Sequence, residues 1–187
     1  MVCKHYIATT AIICPMPQPS VHFQKSHCPR MNDVFAPLDR SFSVVRLQQT
    51  SDMKEYTISK DINAIGTPVK TFPLGIDQAF QDLVKKIPGG FSRPYYGIGD
   101  CIDGKMTYIA AAMEKTQGEG KQLGLETYKI EKGNYLAEEI TDWRDKTACI
   151  KDVFEKMYKD DRADRSAPSI EIYENDHVMK CLVKLVN

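Results

Sequence analysis

A carboxylate and a phenol stand two residues apart near the C-terminal end of the chain, in a segment with the alternation of a β-strand. In the run Ser-Ile-Glu-Ile-Tyr, Ile170 and Ile172 alternate with Glu171 and Tyr173. Because successive side chains of a strand point to opposite faces, the isoleucines would share one face and Glu171 would share the other with Tyr173. The spacing therefore predicts a polar pair on an otherwise apolar strand.

Three roles are open to Glu171. A carboxylate held against aromatic rings in a partly dry pocket prefers an organic cation, through charge pairing and cation–π attraction, so the ligand would be small, flat and lipophilic. Burial would also raise the pKa of Glu171, as general acid–base chemistry requires, so a hydrolytic role stays open. In the structural alternative, Glu171 is an exposed residue that pairs with a lysine such as Lys180 or Lys184.

The chain from Met53 onward shows the periodicity of regular secondary structure. Strand-like alternation comes first, then apolar residues at helical spacing, then two β-rich runs separated by Asp103-Gly104, a strong signal for a two-residue hairpin turn. This order predicts a β-α-β-β unit. Its predicted segments are strands at 56–58 and 64–69, a helix at 76–87, and strands at 95–102 and 106–113.

The same pattern recurs further along the chain at a nearly constant offset of 72 to 74 residues. A repeat over four elements indicates a duplication. We expect two β-α-β-β units, the second with its helix over about 142–160, to join edge to edge in a curved antiparallel sheet with two helices and a central ligand groove. The fold class is α+β. The matched positions are Tyr56 and Tyr128, Ile76 and Ile150, Tyr95 and Ser169, and Met106 and Met179.

The two halves differ on the predicted face of the groove. The offset of 74 residues sets Gly97 against Glu171 and Gly99 against Tyr173. Because glycine leaves space, one half would supply room while the other supplies a carboxylate beside a phenol. Tyr95 shares the strand face of Gly97 and is expected to form a wall of the groove.

Other aromatic and acidic residues are candidates for the groove. Trp143, the only tryptophan, starts the predicted second helix, where it either closes the groove as a lid or packs the helix onto the sheet. Tyr135 and Glu139 share one strand face by alternation, and they either reach the groove or lie exposed at the surface. The sequence does not decide whether the side chain of Tyr108 lies in the core or on the opposite face of its strand.

Composition excludes several classes of partner. The 25 basic residues equal the 25 acidic ones, so no net positive field attracts nucleic acid or anionic lipid. No apolar run approaches the roughly 20 residues of a membrane span. The six cysteines are scattered without a CxxC pair, so we expect no metal site, no cofactor, no disulfide framework and a cytoplasmic location with reduced thiols.

The chain divides at about residue 52. Residues 1–52 contain five of the ten prolines and no sustained helical or strand period, so this segment is predicted to be a disordered extension without a helix-turn-helix pair. A clear alternating strand opens at Met53, which suggests a natural start there. The folded domain is predicted to span residues 53–187.

The segment Ala-Pro-Ser-Ile-Glu-Ile-Tyr-Glu-Asn at 167–175 precedes a final apolar strand and follows Gly133-Asn-Tyr and a helix. In these features the chain from residue 53 to 187 resembles the GyrI-like effector-binding family. That family includes bacterial ligand domains of AraC-type and multidrug-sensing transcription regulators as well as stand-alone proteins. The resemblance implies that Glu171 and Tyr173, in the I-E-x-Y strand, line a pocket for lipophilic and often cationic compounds.

Three function classes follow from the residues and the resemblance. The first is a stand-alone small-molecule binder, acting as a sensor or a sequestering protein, as a monomer or a homodimer. The second is a hydrolase of reactive lipophilic compounds, an activity of some stand-alone members, in which Glu171 and Tyr173 position water. The third is a protein-binding modulator of the gyrase-inhibitor kind, with Asp160-Asp161 and Asp164 as its acidic loop.

Overall fold

The structure is a computed structural model that describes residues 53–102 and 104–186. The predicted disordered extension at 1–52 lies outside the described residues, and so does Asp103 of the predicted hairpin turn. Within them the chain forms eight strands, three α-helices and one 3₁₀ helix. In chain order these are β1 Lys54–Ile58, β2 Ile62–Pro68, α1 Ile76–Lys86, β3 Tyr95–Ile102, β4 Lys105–Met113, α2 Glu119–Gln122, β5 Glu126–Ile130, β6 Gly133–Thr141, the 3₁₀ helix Trp143–Lys146, α3 Thr147–Met157, β7 Ser169–Tyr173 and β8 Val178–Lys184.

The two long helices use the same apolar spacing. Three buried residues of each helix fall at positions i, i+4 and i+7, which places them on one face. The charges of α1 also favour a helix, because Asp77 lies in its first turn and Lys85 and Lys86 lie in its last. The buried residues are Ile76, Phe80 and Leu83 in α1, and Ile150, Phe154 and Met157 in α3.

The second helix differs from its predicted range of about 142–160. Asp142 adopts a left-handed conformation with φ of 50°, so the chain turns sharply before the helical segment begins. Trp143 then lies in a short 3₁₀ helix, and α3 runs only from Thr147 to Met157. The prediction of one continuous helix is therefore wrong at both ends.

All eight strands form one antiparallel sheet in the order β1-β6-β8-β7-β3-β4-β2-β5. The predicted α+β class with a curved antiparallel sheet is confirmed. Each half contributes β-β-α-β-β, so the two predicted strand segments before each helix are separate strands, and the first strand of each half pairs with the other half. β1 pairs with β6, and β5 pairs with β2. The halves meet at the central ladder between β3 and β7.

Both faces of the curled sheet bury apolar side chains. One face packs against α1, the 3₁₀ helix and α3 and forms the larger core. The other face has its own buried cluster, which includes Ile170 and Ile172 together with residues of the edge strands. The polar partners of these isoleucines, Glu171 and Tyr173, therefore point toward the helices.

The cysteines differ in their bonding. Cys181 is a free thiol, fully buried on β8, whereas Cys101 and Cys149 are disulfide-bonded. The expectation of reduced thiols is wrong for Cys101 and Cys149. Within residues 53–102 and 104–186, no helix has the length and apolar character needed to cross a membrane.

Candidate functional site

Glu171 lies at the centre of the sheet as a buried carboxylate, only 4% exposed. Its Oε2 accepts a hydrogen bond of 2.6 Å from the Tyr173 hydroxyl and a second, very short one from the Tyr108 hydroxyl of β4. The two phenol oxygens are 3.3 Å apart. Glu171, Tyr108 and Tyr173 thus form one connected cluster, which we call the carboxylate cluster.

Gly97 makes room for this cluster. It lies directly opposite Glu171 in the ladder between β3 and β7. A Cβ atom at this position would lie 2.5 Å from Glu171 Oε2 and 2.7 Å from Tyr108 Cζ, distances that real Cβ contacts do not reach. The space that glycine leaves is therefore filled by the protein's own carboxylate and phenol.

Burial and hydrogen bonding act in opposite directions on Glu171. Desolvation raises the pKa of this carboxyl, while the hydrogen bonds from Tyr108 and Tyr173, which stabilise its ionised form, oppose the shift. Burial, together with the nearby charge of Glu171, raises the pKa of both tyrosines well above the ordinary value. Both phenols therefore stay protonated and serve as donors to the carboxylate.

An aromatic pocket of about 180 Å³ lies beside the carboxylate cluster. Tyr173 connects the two, because its ring lines the pocket while its hydroxyl bonds Glu171. The ring of Tyr173 meets Trp143 edge-on at 4.9 Å and Phe80 at 5.3 Å between centroids. The five aromatic walls are Phe80, Phe91, Tyr95, Trp143 and Tyr173.

Charged residues surround the mouth of the pocket in pairs. Arg144 of the 3₁₀ helix bonds Asp176 of the β7–β8 turn at 2.5 Å, and its guanidinium carbon lies 4.7 Å from the ring centroid of Trp143. The indole nitrogen of Trp143 donates to the Asn175 carbonyl at 3.0 Å. These contacts tie the 3₁₀ helix to the β7–β8 turn across the pocket.

Several solved structures share this fold. SAV2435 bound to tetraphenylphosphonium has a TM-score of 0.53 at 13% identity, covering 72% of this chain and 93% of its own. The integron cassette protein VCH_CASS2 from Vibrio cholerae has a TM-score of 0.54 at 11% identity, covering 71% and 95%. A protein assigned to bacterial transcription regulation, from Staphylococcus aureus MU50, has a TM-score of 0.50 at 14% identity, covering 72% and 97%.

The chain has the fold of these proteins. At such low identities the likeness establishes architecture, and the fold implied by the GyrI-like resemblance is thereby confirmed. No model of a protein family matches the sequence, and no curated protein matches it.

The structure brings most of the predicted site residues together. Trp143, Tyr173 and Tyr95 line the aromatic pocket. Glu171 belongs to the carboxylate cluster, and Gly97 lies directly opposite it in the ladder. Trp143 is 2% exposed and packed in the core, as in the packing role considered for it, and it also lines the pocket.

Two predicted residues lie elsewhere. Tyr135 is buried on the opposite face of the sheet, where its hydroxyl donates to the Glu131 carbonyl at 2.6 Å. Glu139 is exposed and pairs with Lys180 of the neighbouring strand at 3.8 Å. Alternation correctly gave these residues one face of β6, but that face does not point toward the helices and the pocket.

Sequence reasoning did not select several residues of the site. Tyr108 is the most important, because it bonds Glu171 directly. Phe80 was predicted only to lie in the helix at 76–87, and no prediction was made for Phe91 or Arg144. Among the described residues, no cluster of histidine, cysteine or acidic side chains is arranged to hold a metal ion.

Proposed function

We propose that this protein binds small, flat, lipophilic cations in the aromatic pocket and acts as a sensor or a sequestering protein. The observation that carries this proposal is the position of Tyr173, whose ring lines the pocket while its hydroxyl bonds the buried Glu171. Through this residue the aromatic walls and the carboxylate form one continuous site.

The size and chemistry of the site support a compact aromatic cation. Five aromatic residues line a volume of about 180 Å³, which is below the 300 Å³ or so of common drug sites. Ring faces attract a positive charge, and a desolvated carboxylate behind them strengthens that attraction. The shared fold with SAV2435, which was solved with tetraphenylphosphonium, agrees with this ligand class.

The other two function classes find less support in the geometry. A hydrolase needs a water beside its carboxylate, but Glu171 is nearly inaccessible and already accepts two hydrogen bonds. The acidic loop considered for protein binding is internally paired, since Asp160 bonds Arg162 and Asp164 bonds Ser166. Neither arrangement favours a second proposal.

Binding can be tested with a matched pair of ligands that differ in charge. We would titrate 1-methylquinolinium and its neutral analogue 1-methylnaphthalene by calorimetry into the wild type and Glu171→Gln. The variant should bind the cation about tenfold more weakly, the order expected for a desolvated cation–π and charge contact. Its affinity for the neutral analogue should stay the same.

Glu139→Gln is the control, because it removes an exposed carboxylate far from the pocket. It should bind both ligands like the wild type. Equal cation affinity in Glu171→Gln and the wild type would remove Glu171 from the binding site. Neither probe has a hydrolysable bond, so turnover is tested with 1-naphthyl acetate: its hydrolysis by the wild type, but not by Glu171→Gln, would favour the hydrolase instead.

A further inference from the structure

Arg144 occupies the place that a bound cation would take in this pocket. Its guanidinium carbon lies 4.7 Å from the ring centroid of Trp143, within the range of a cation–π contact. Trp143 in turn is a wall of the pocket, and Arg144 itself lines it. The protein therefore places its own positive charge against a ring that lines the pocket.

Asp176 holds this guanidinium in position. The ion pair of 2.5 Å is partly shielded, with 23% of the Arg144 side chain and 39% of the Asp176 side chain exposed. Asp176 belongs to the β7–β8 turn, which the Trp143 indole also bonds through the Asn175 carbonyl. Asp176 thus neutralises Arg144 at a partly exposed position.

We propose that Arg144 is a resident competitor that covers the Trp143 ring and must be displaced before an aromatic ligand can stack there. This inference rests on the proposed function and assigns to a residue of the same site the role of limiting ligand affinity. Displacement costs the contact between Arg144 and Trp143. This cost falls equally on cationic and neutral ligands, so the competitor lowers the affinity for both, while the exposed ring itself favours the cation.

The test uses the double variant Arg144→Met/Asp176→Asn, which removes the competitor without changing the net charge of the mouth. The same two probes, 1-methylquinolinium and 1-methylnaphthalene, should each bind roughly two- to fivefold more tightly than to the wild type, the worth of a partly exposed cation–π contact. In the single variant Arg144→Met, the cation should gain more than the neutral probe, since Asp176 is then unpaired.

A matched control is Lys151→Met/Glu155→Gln, which removes an ion pair of 3.5 Å on α3 that does not line the pocket. It should bind both probes like the wild type. Unchanged or weaker binding of both probes by the double variant at the mouth would overturn the competitor role of Arg144.

A second measurement needs no ligand binding at all. Trp143 is the only tryptophan, so its fluorescence reports directly on its ring. Removing a charge that rests on a buried indole should shift its emission maximum. An emission maximum unchanged in the double variant would overturn the inference, whereas failure of the wild type and the double variant to bind either probe would overturn the proposed function alone.

Discussion

Gly97 lies directly opposite Glu171 in the central antiparallel ladder, and the same two residues occupy equivalent positions in the duplicated halves. The pseudo-twofold axis of the sheet therefore passes between them. A fully symmetric chain would bring two identical side chains together at this point, and two buried carboxylates would repel each other strongly. Glycine on one side removes that conflict and leaves space for a single carboxylate with its two phenol donors.

Substitution of Gly97 by alanine should destabilise the protein. The added Cβ would lie 2.5 Å from Glu171 Oε2 and even nearer to the Tyr108 hydroxyl, so the cluster must shift. We expect a loss of about 1–3 kcal/mol in the free energy of unfolding, as for other overpacked cores. Urea denaturation measures this loss.

The variant Tyr108→Phe tests the packing explanation, because it removes the oxygen nearest to the added Cβ. Adding Gly97→Ala to that variant should therefore destabilise it less than adding Gly97→Ala to the wild type. Strictly additive losses would contradict the packing explanation.

The stability of the protein should depend on the protonation of Glu171. Burial raises the pKa of this carboxyl above its ordinary value of 4.5, so the folded chain holds the proton more tightly than the unfolded chain does. Its contribution to stability is fully present below the unfolded pKa and is lost as pH rises through the folded pKa. Glu171→Gln does not titrate and should gain stability relative to the wild type over that same window.

This difference is measured by urea denaturation of both proteins across a series of pH values. Other carboxyls, such as Asp160 and Asp164, have a lowered pKa and also make stability depend on pH. Because both proteins contain them, their contributions cancel in the difference between the two stabilities. A stability difference that stays constant from acid to neutral pH would contradict the raised pKa of Glu171.

Tyr108→Phe should weaken cation binding without altering the pocket wall. Tyr108 does not line the pocket, so its effect must pass through the hydrogen bond to Glu171. Loss of this donor raises the pKa of Glu171 further, because the ionised form loses a stabilising partner. Affinity for 1-methylquinolinium should therefore fall most at mildly acidic pH and recover at alkaline pH.

Calorimetric titration at several pH values would reveal this recovery. Tyr128→Phe is the control, because Tyr128 donates a comparable bond of 2.7 Å to the exposed Glu126. That variant should follow the wild type throughout. An equal loss of affinity at every pH in Tyr108→Phe would instead indicate a purely structural role for Tyr108.

The sequence carried enough local information to predict on which face of the sheet Tyr108 lies. The Asp103-Gly104 signal predicts a two-residue hairpin turn, and a register with Ile102 opposite Lys105 sets Tyr108 opposite Gly99 and Ala110 opposite Gly97. The same turn requires the left-handed conformation that Gly104 adopts, with φ of 78°. Tyr108 must therefore share the face of the glycines, which the prediction left open.

Other features could not be predicted because they depend on contacts between distant segments. Alternation groups Tyr135 with Glu139 on one face of β6, but it does not say which face the helices cover. The periodicity also contains no signal that β1 pairs with β6 of the other half, or that β5 pairs with β2. This exchange of first strands between the halves depends on how the whole sheet assembles.

The exchange of first strands makes the start of the domain testable. A chain beginning at Met53 retains β1 and should unfold at the same urea concentration as the full chain if residues 1–52 are dispensable. A chain beginning at Asp61 lacks β1, loses its ladder with β6 and no longer buries Ile58, which is 6% exposed. Burial of Ile58 alone is worth about 1.5–3 kcal/mol, so this chain should be less stable. Equal stability of the two truncated chains would contradict a structural role for β1.

The ion pair between Arg93 and Glu119 should be a major determinant of stability near the pocket. The charged atoms are 2.8 Å apart, with side chains 2% and 12% exposed, and Arg93 also lines the pocket. Glu119→Gln would leave the Arg93 charge buried without its partner, at a cost of about 3–5 kcal/mol. In contrast, Glu155→Gln breaks an exposed helical pair with Lys151 and should cost only about 0.3–0.5 kcal/mol.

The pH dependence of this pair is opposite in sign to that of Glu171. The hydrogen bond from Arg93 lowers the pKa of Glu119, so its contribution is present above the unfolded pKa and is lost as pH falls through the folded pKa. Urea denaturation should therefore show the gap between the wild type and Glu119→Gln narrowing toward acidic pH. A small loss at neutral pH, comparable with that of Glu155→Gln, would mean that water reaches Arg93 and that the pocket wall opens in solution.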